Sequence, residues 1–320
     1  MNFREGTPVL LIDASYFVFY RYYATQRWFM FRSQRANPPT EPPAPSDPEF
    51  LEAFAKQARS EIGRLISAWK SCPENTVFCC DCSRGAIWRT AVFLENSLAD
   101  MGMEMGLGGM VVVAGEAEGV AEGDAGVAAV MEVPSSAMYK GTRATPTNFY
   151  GDIFPHFYQL LRSGQLGAGL RRADGEQLEA DDVVYGIVKT LREGAGGAEG
   201  GGAQVVCISN DNDYLQLLRF PNLLVYNLQD KNLAERSCGC SEKDLLVKIL
   251  SGDKSDNIPP CARGIGPKTA LKVAEMTDTE RRSFLEKKGG AAALTTFARN
   301  RQLVDFRHIP EDLLQKLTLI

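Results

Sequence analysis

Short, unbroken apolar runs alternate with helical periodicities along this chain. Pro8–Ile12, Thr76–Cys80, Gln204–Ile208 and Leu223–Tyr226 each contain four consecutive apolar residues, the pattern of strands buried on both faces. Between them, residues 49–70 repeat Phe50, Phe54, Ala58, Ile62, Leu65, Ile66 and Trp69 at helical spacing. Residues 147–162 also read as a helix, 179–193 carry the stripe Val183, Val184, Ile187, Val188 and Leu191, and 242–250 are amphipathic. Strands alternating with helices predict an α/β fold, a mostly parallel central sheet flanked by helices. The aromatic segment Tyr16–Phe31, with Arg21 and Arg27 interleaved, receives no element, and the six prolines of 37–48 mark a loop.

Composition narrows the classes. With 320 residues, 44% of them hydrophobic, the chain can bury one large core, or one core and a small appendage. The pattern divides at about 240: an α/β region over 1–240 and a helical one over 241–320. No apolar run reaches the ~20 residues of a membrane span, which argues against a membrane partner. The chain enters a strand by residue 9, which leaves no room for a leader, so an intracellular, soluble protein is expected. The eight cysteines form no spaced CxxC pairs and suit a reducing compartment; Cys238-Gly-Cys240 is a weak metal grip. With only His156 and His308, any metal centre would rest on oxygen and favour a hard cation, magnesium or manganese.

The net charge of −5 conceals an uneven distribution. Residues 90–138 hold eight acids and no Lys or Arg, so the rest of the chain has 35 basic residues against 32 acidic ones. The acidic Gly/Ala/Met-rich stretch reads as an insertion or mobile loop. Outside it, removing the nine carboxylates singled out below leaves 35 cations against 23 anions. Such a surplus suits a phosphate-binding surface.

Carboxylates recur where strands end. Asp13 and Asp81 follow the first two apolar runs, and Asp211 and Asp213 follow the third. Glu179, Asp181 and Asp182 open the helix at 179; Glu179 and Asp182, three apart, share one face, and Asp181 lies about 100° round. Each could be a helix cap, a turn residue or a charge complementing a helix dipole. In open α/β sheets, however, the functional crevice lies at the carboxyl ends of the strands. Several carboxylates brought to one rim repel one another unless cations neutralise them. Farther on come Gly252-Asp253-Lys-Ser-Asp256-Asn-Ile-Pro and Gly264-Ile-Gly266-Pro267-Lys268-Thr269-Ala, a Gly-rich turn entering a helix start suited to phosphate.

Taken in order, these segments resemble the 5′-nuclease superfamily: flap endonucleases and the 5′–3′ exonuclease domain of bacterial DNA polymerase I. The resemblance is carried by Leu-Ile-Asp13-Ala-Ser, Asp81 with Arg84 and Trp88-Arg89, Tyr139-Lys140-Gly-Thr-Arg143, Glu179-Ala-Asp181-Asp182, Ser209-Asn-Asp211-Asn-Asp213-Tyr-Leu-Gln216-Leu, the Asp253–Asp256 segment and Gly264–Ala270. It runs across about residues 9–275 and is closest to the bacterial and phage branch.

The resemblance implies a PIN-like catalytic core over 1–240 and a helix–two-turn–helix region for DNA over 241–320. It implies a two-metal phosphodiesterase, with Asp13, Asp81, Glu179 and Asp181 around one Mg2+ or Mn2+ and Asp182, Asp211, Asp213, Asp253 and Asp256 around the other. Lys140 and Arg143 would act on the scissile phosphate from a helical arch, with Arg84 and Arg89 as further phosphate contacts. Gly264, Gly266, Lys268 and Thr269 would grip the duplex backbone, and K+ would bind at their turn. The expected activity is cutting of 5′ flaps or 5′ ends of DNA by a monomer. A PIN-like ribonuclease and an inactive branched-DNA binding module are the competing readings. Two departures stand out: Tyr20, with Arg21 next to it, takes the place of the family's usual Arg seven residues past the first Asp. The spacing from Arg89 to Tyr139 is also unusually long.

Overall fold

The computed structural model describes residues 2–33, 47–82, 87–100, 103–105, 111–113, 139–140, 151–194 and 202–320. The chain forms two compact units, one of residues 1–84, 145–244 and 309–320, the other of 85–144 and 245–308.

The first unit is built on a six-stranded sheet. Its strands are β1 (Val9–Asp13), β2 (Thr76–Cys79), β5 (Arg171–Asp174), β6 (Val205–Ile208), β7 (Leu223–Tyr226) and β8 (Thr318–Leu319). They lie in the order β7-β6-β1-β2-β5-β8, all parallel except β8, which pairs antiparallel with β5. Every residue of β2 and β6, and β1 up to Ile12, is buried, as the apolar runs predict. The strand order reverses direction between β1 and β6, the switch point where open sheets leave a crevice.

Helices α1 (Ala14–Ser33), α2 (Pro48–Ala68), α4 (Ile153–Arg162) and α5 (Ala180–Gly194) belong to this unit. Asp47 caps α2 by accepting from the Glu49 N–H at 2.8 Å, with Pro48 at the first helical position. Phe17 of α1, Phe78 of β2 and Phe157 of α4 pack mutually with centroids 5.2–5.7 Å apart, in the centre of the core. Helix α1 occupies the aromatic segment left without an element. Its apolar residues run round the helix and leave no clear stripe, so periodicity could not reveal it. Strand β5, Arg-Arg-Ala-Asp, escaped notice for a related reason: only Ala173 is buried in it. The proline-rich loop reading of 37–48 falls mostly outside the described residues.

The second unit contains α3 (Trp88–Asp100), the antiparallel pair β3 (Met103–Met105) and β4 (Val111–Val113), α7 (Pro267–Ala274) and α8 (Asp278–Val304). Helix α6 (Ser241–Ser251) begins in the first unit and ends in the second, and α9 (Glu311–Gln315) precedes β8 in the last stretch of the first unit. The acidic stretch therefore holds a helix and a strand pair in its described part, where the sequence suggested only an insertion or loop. A capping box, Thr277 with Glu280, starts α8. Leu250, Cys261, Ile265, Ala270, Val273, Leu285 and Ala293 form a small core. Among the described residues, no helix is long and apolar enough to cross a membrane.

The Asp253–Asp256 segment is closed into a clasp. Asp253 and Ile258 exchange both backbone hydrogen bonds at 2.8 Å, and Asn300, fully buried on α8, donates to the carbonyls of Ile249 at 2.9 Å and Pro259 at 2.7 Å. Gly252, φ 68°, starts the clasp, and a Cβ there would run into the carbonyls of Ile258 and Pro259. Gly252→Ala is therefore expected to lower stability by more than about 1 kcal/mol in denaturant unfolding; an unchanged midpoint would contradict this packing.

Candidate metal centre

Register explains how the first carboxylates meet. Ile12 of β1 lies level with Ile208 of β6, so Asp13 and Ser209 emerge side by side. Ser209, fully buried, donates through Oγ to Asp13 Oδ2 at 3.0 Å and accepts from the Asp211 N–H at 3.3 Å. Tyr214 Oη also donates to Asp13 Oδ2, at 3.3 Å, and the Tyr16 N–H donates to Oδ1 at 2.9 Å. On the other side Asp13 pairs with Cys79, and Asp81 follows two residues later. Asp81 accepts from the Ala180 N–H at 2.8 Å and from the Ser15 hydroxyl, which ties the end of β2 to the starts of α5 and α1.

The start of α5 concentrates three more carboxylates. Ligand oxygens of Glu179, Asp181 and Asp182 lie within 4.8 Å of one another, Glu179 and Asp182 buried and Asp181 half-buried. Asp182 reaches back to accept from the Glu179 N–H at 3.1 Å, and Asp181 accepts from the Asp182 N–H at 2.9 Å. Two readings of this segment are thus realised together: the carboxylates cap the helix and complement its dipole, and they also crowd into one small volume.

Electrostatics marks the cost of that crowding. Asp13 is pushed up to about 7, first by burial among protein groups and next by the negative charge of Asp81, with Asp211 adding to the rise. Burial also raises Tyr214 well above the ordinary phenol range, with Asp13 and Asp181 contributing. Cys82, pushed up to about 11 by burial and then by Glu179, Asp81 and Asp182, senses the same field. Asp81 and Asp211 thus both act on Asp13, and Glu179, Asp181 and Asp182 cluster by distance. Asp211 is exposed and Asp213 half-buried, and the Asp213 N–H donates to Asp211 Oδ1 at 3.0 Å. Among the described residues, the group close enough to hold an ion is carboxylate alone, Glu179, Asp181 and Asp182, which fits a hard divalent cation rather than one held by thiolate or imidazole.

The remaining expected site residues lie in the second unit or outside the described residues. Asp256 is buried; it accepts from Tyr139 Oη at 3.2 Å, and Lys140 Nζ lies 3.9 Å from its Oδ1. The Lys140 N–H donates to the Asp256 carbonyl at 3.1 Å, so Tyr139-Lys140 is fastened to the clasp. Asp253 pairs with Lys248 at 2.8 Å; burial would raise its pKa, but Lys248 and Ser255 outweigh that and hold it at about 2. Arg89 is buried at 3% exposure, lies over the Trp88 ring at 4.7 Å and donates to the Leu303 carbonyl at 2.8 Å, a brace between α3 and α8. Gly264, Gly266 and Lys268 are exposed and Thr269 is half-buried, at the entry to α7. Arg84 and Arg143 lie outside the described residues. Arg21 pairs with Glu61 of α2 at 3.3 Å and lies 4.7 Å from the centre of the Tyr20 ring.

Sequence reasoning overlooked the groups that hold these carboxylates. Ser209 and Tyr214 lie inside a segment that was read for its acids alone. Arg236 was missed altogether: its guanidinium donates to the Asn210 carbonyl at 3.1 Å, to Asn210 Oδ1 at 2.7 Å and to Asn212 Oδ1 at 3.2 Å. It holds the loop that carries Asp211 and Asp213, from a distance along the chain that no local pattern reports.

Comparison with known proteins agrees with the resemblance read from the motifs. No family model matches the chain. DNA polymerase I of Rhizobium leguminosarum is 32% identical over 143 residues, 43% of this chain and 13% of that protein. Ribonuclease H of Enterobacteria phage T4 is 27% identical over 153 residues, 44% of this chain and 47% of the relative. The 5′–3′ exonuclease of Buchnera aphidicola subsp. Schizaphis graminum is 31% identical over 140 residues, 42% of this chain and 44% of the relative. The chain thus spans less than half the length of these relatives. Among solved structures, a bacteriophage T5 flap endonuclease with DNA and metal ions superposes with a TM-score of 0.53 at 16% identity, covering 97% of this chain and 96% of that one. The T5 5′-exonuclease with bound zinc gives 0.52 at 14% identity, with the same coverage. The chain resembles the 5′-nuclease superfamily in sequence and shares the fold of the T5 enzyme.

The raised Asp13 predicts a pH signature for the metal-free protein. An acid whose folded pKa lies near 7, against 3.8 when unperturbed, carries no folding penalty below about pH 4 and the full penalty above about 7. Asp13→Asn is therefore expected to be more stable than the parent by at least about 1 kcal/mol at pH 8 in EDTA, with the advantage shrinking towards pH 5. Thermal melts of both proteins across that range check this, and a pH-independent difference would contradict it.

Proposed function

We propose that this chain is a divalent-metal-dependent, structure-specific 5′ nuclease that hydrolyses DNA phosphodiesters at 5′ flaps or 5′ ends, in replication or repair. The observation that carries the reading is the gathering of Asp13, Asp81, Glu179, Asp181 and Asp182 at the strand ends and the start of α5, with the electrostatic strain seen at Asp13. The similarity to 5′–3′ exonuclease and to segments of DNA polymerase I, each over less than half of the chain, points the same way.

In this reading Asp13, Asp81, Glu179 and Asp181 hold one Mg2+ or Mn2+, and Asp182, Asp211, Asp213, Asp253 and Asp256 serve a second. Such ions supply an activated water and neutralise charge on a phosphate and its departing oxygen. The chain's own residues set the stage. Ser209 and Tyr214 orient Asp13, Ala180 and Ser15 orient Asp81, and Arg236 fixes the Asp211–Asp213 loop. Lys140 and Arg143, with Arg84, would meet the scissile phosphate. Residues 241–320 form the DNA-binding region, where Gly264, Gly266, Lys268 and Thr269 contact a duplex backbone, and a K+ ion at their turn belongs to the same proposal. Arg89 is not carried into it, because its guanidinium is already committed to Leu303 and Trp88.

The phage T4 relative is a ribonuclease H, so an RNA strand paired to DNA is the second substrate to be weighed. A labelled 5′-flap duplex, made once with a DNA flap and once with an RNA flap, separates the two readings. With Mg2+, the parent is expected to cut the DNA flap near the junction. Asp182→Asn keeps the acceptor that caps Glu179 and removes the charge, and is expected to cut about 100-fold more slowly or worse while still binding the substrate. Equal rates for parent and variant would remove Asp182 from the site, and no cutting of either flap by the parent would overturn the nuclease reading.

A further inference from the structure

Helix α5 is enclosed all round over residues 182–188. Its stripe of Val183, Val184, Ile187 and Val188 is fully buried. The opposite side carries Asp182, Gly186 and Lys189 at i, i+4 and i+7, and it is covered as well: Asp182 and Gly186 are buried and Lys189 half-buried. Glycine inside a helix is disfavoured against alanine, so Gly186 calls for a reason in the packing. A Cβ at 186 would come within 2.9 Å of Leu317 Cδ1 and 3.1 Å of Leu314 Cδ2. The bare backbone of α5 thus receives two leucines at close range, and Glu311 of α9 pairs with Lys189 at 2.5 Å one turn farther along the same side.

The same stretch also holds the strand that leads into α5. Thr318 and Leu319 of β8 pair with Asp174 and Ala173 of β5, and Arg172 and Ile320 exchange both backbone hydrogen bonds at 2.9 Å. From Asp174 the chain reaches Glu179 through residues 175–178, a turn in which the Leu178 N–H donates to the Gly175 carbonyl at 3.3 Å. Residues 311–320 therefore grip the chain on both sides of Glu179, Asp181 and Asp182. Those carboxylates crowd together beside Asp81, which accepts from the Ala180 N–H, and like charges so placed push the start of α5 outward. Packing on the far side of the helix resists that push. Carboxylates already gathered lose less on taking up an ion than carboxylates that must first be ordered.

We propose that Leu314 and Leu317, seated on Gly186 with Glu311 fastened to Lys189, are positioning residues for the metal centre. They fix α5 against the repulsion of its own carboxylates and so set the affinity for a divalent cation. They act through the helix and not as ligands. This rests on the metal-dependent reading above, since it supplies the cation.

The test is Mn2+ binding by the full chain in a calorimetric titration, together with hydrogen exchange of the metal-free protein in EDTA. Leu317→Ala should raise the Mn2+ Kd about 10-fold, the scale of groups that orient metal ligands from outside the coordination shell. Glu311→Ala, at an exposed position that cannot disturb folding, should raise it about 3-fold. Leu317→Met should keep the parent's affinity, as should Lys316→Ala, whose partner Asp312 lies on the same short segment. In EDTA the amides of residues 179–182 should exchange faster in Leu317→Ala, while those of β6 exchange as in the parent, a local loosening. Where Leu317→Ala does not fold, Glu311→Ala decides alone. Parent-like affinity in the variants overturns this proposal and leaves the metal centre standing. Weaker binding with equally faster exchange in β6 also overturns it, assigning the leucines to general stability. No Mn2+ bound by the parent overturns the metal reading itself, and this inference with it.

Discussion

Mutual repulsion of carboxylates at the ends of buried strands is the constraint on which the rest of this structure depends. Asp13, Asp81 and Asp211 project from or just beyond strands whose interiors are closed to water; Asp81 and Asp211 reach solvent, whereas Asp13 is enclosed by protein groups and its charge is poorly screened. The chain meets part of this cost with its own dipoles: the Ser209, Tyr214 and Ser15 hydroxyls, and the N–H groups of Tyr16 and Ala180. Those bonds do not suffice for Asp13, whose carboxyl still sits far above its ordinary range. A site that raises the pKa of Asp13 on its own, and would hold it as a carboxylate when cations are supplied, is poised to bind metal.

Sheet topology turns this local chemistry into a site. Strands β1, β2 and β6 are neighbours although β1 and β6 lie almost 200 residues apart in the chain, and parallel pairing sets their ends level. One residue of slippage between β1 and β6 would part Asp13 from Ser209 and turn its carboxylate to the other face of the sheet. The hydrophobic runs therefore fix more than a core: they determine which polar residues meet at the rim.

The parts that sequence made legible are those governed by short-range pattern. Four consecutive apolar residues identify β1, β2, β6 and β7, and the acids that follow each of the first three runs were already suspect by position. Helix α1 was hidden because aromatic residues lie all round it, and β5 because an Arg-Arg-Ala-Asp strand has one buried side chain. Helix α8 began with a readable capping box at Thr277 and Glu280, but the Gly289–Gly290 pair breaks its periodicity. Supporting groups such as Ser209, Arg236 and Asn300 act across long stretches of chain or through one atom, so residue type and spacing say little about them. Arg89 shows the opposite error: in sequence it looked like a phosphate contact, whereas the fold buries it as a brace.

The central claim, that the carboxylates of the first unit exist to hold divalent cations, is met most directly by locating such ions. Anomalous scattering from crystals of the chain soaked in Mn2+ would do so without reference to activity. Manganese peaks bonded to oxygens of Asp13, Asp81, Glu179 and Asp181 are expected, and the peaks should vanish in crystals of Asp181→Ala. Saturating Mn2+ with no peak at these residues, in well-ordered crystals whose carboxylates point as described, would contradict the account.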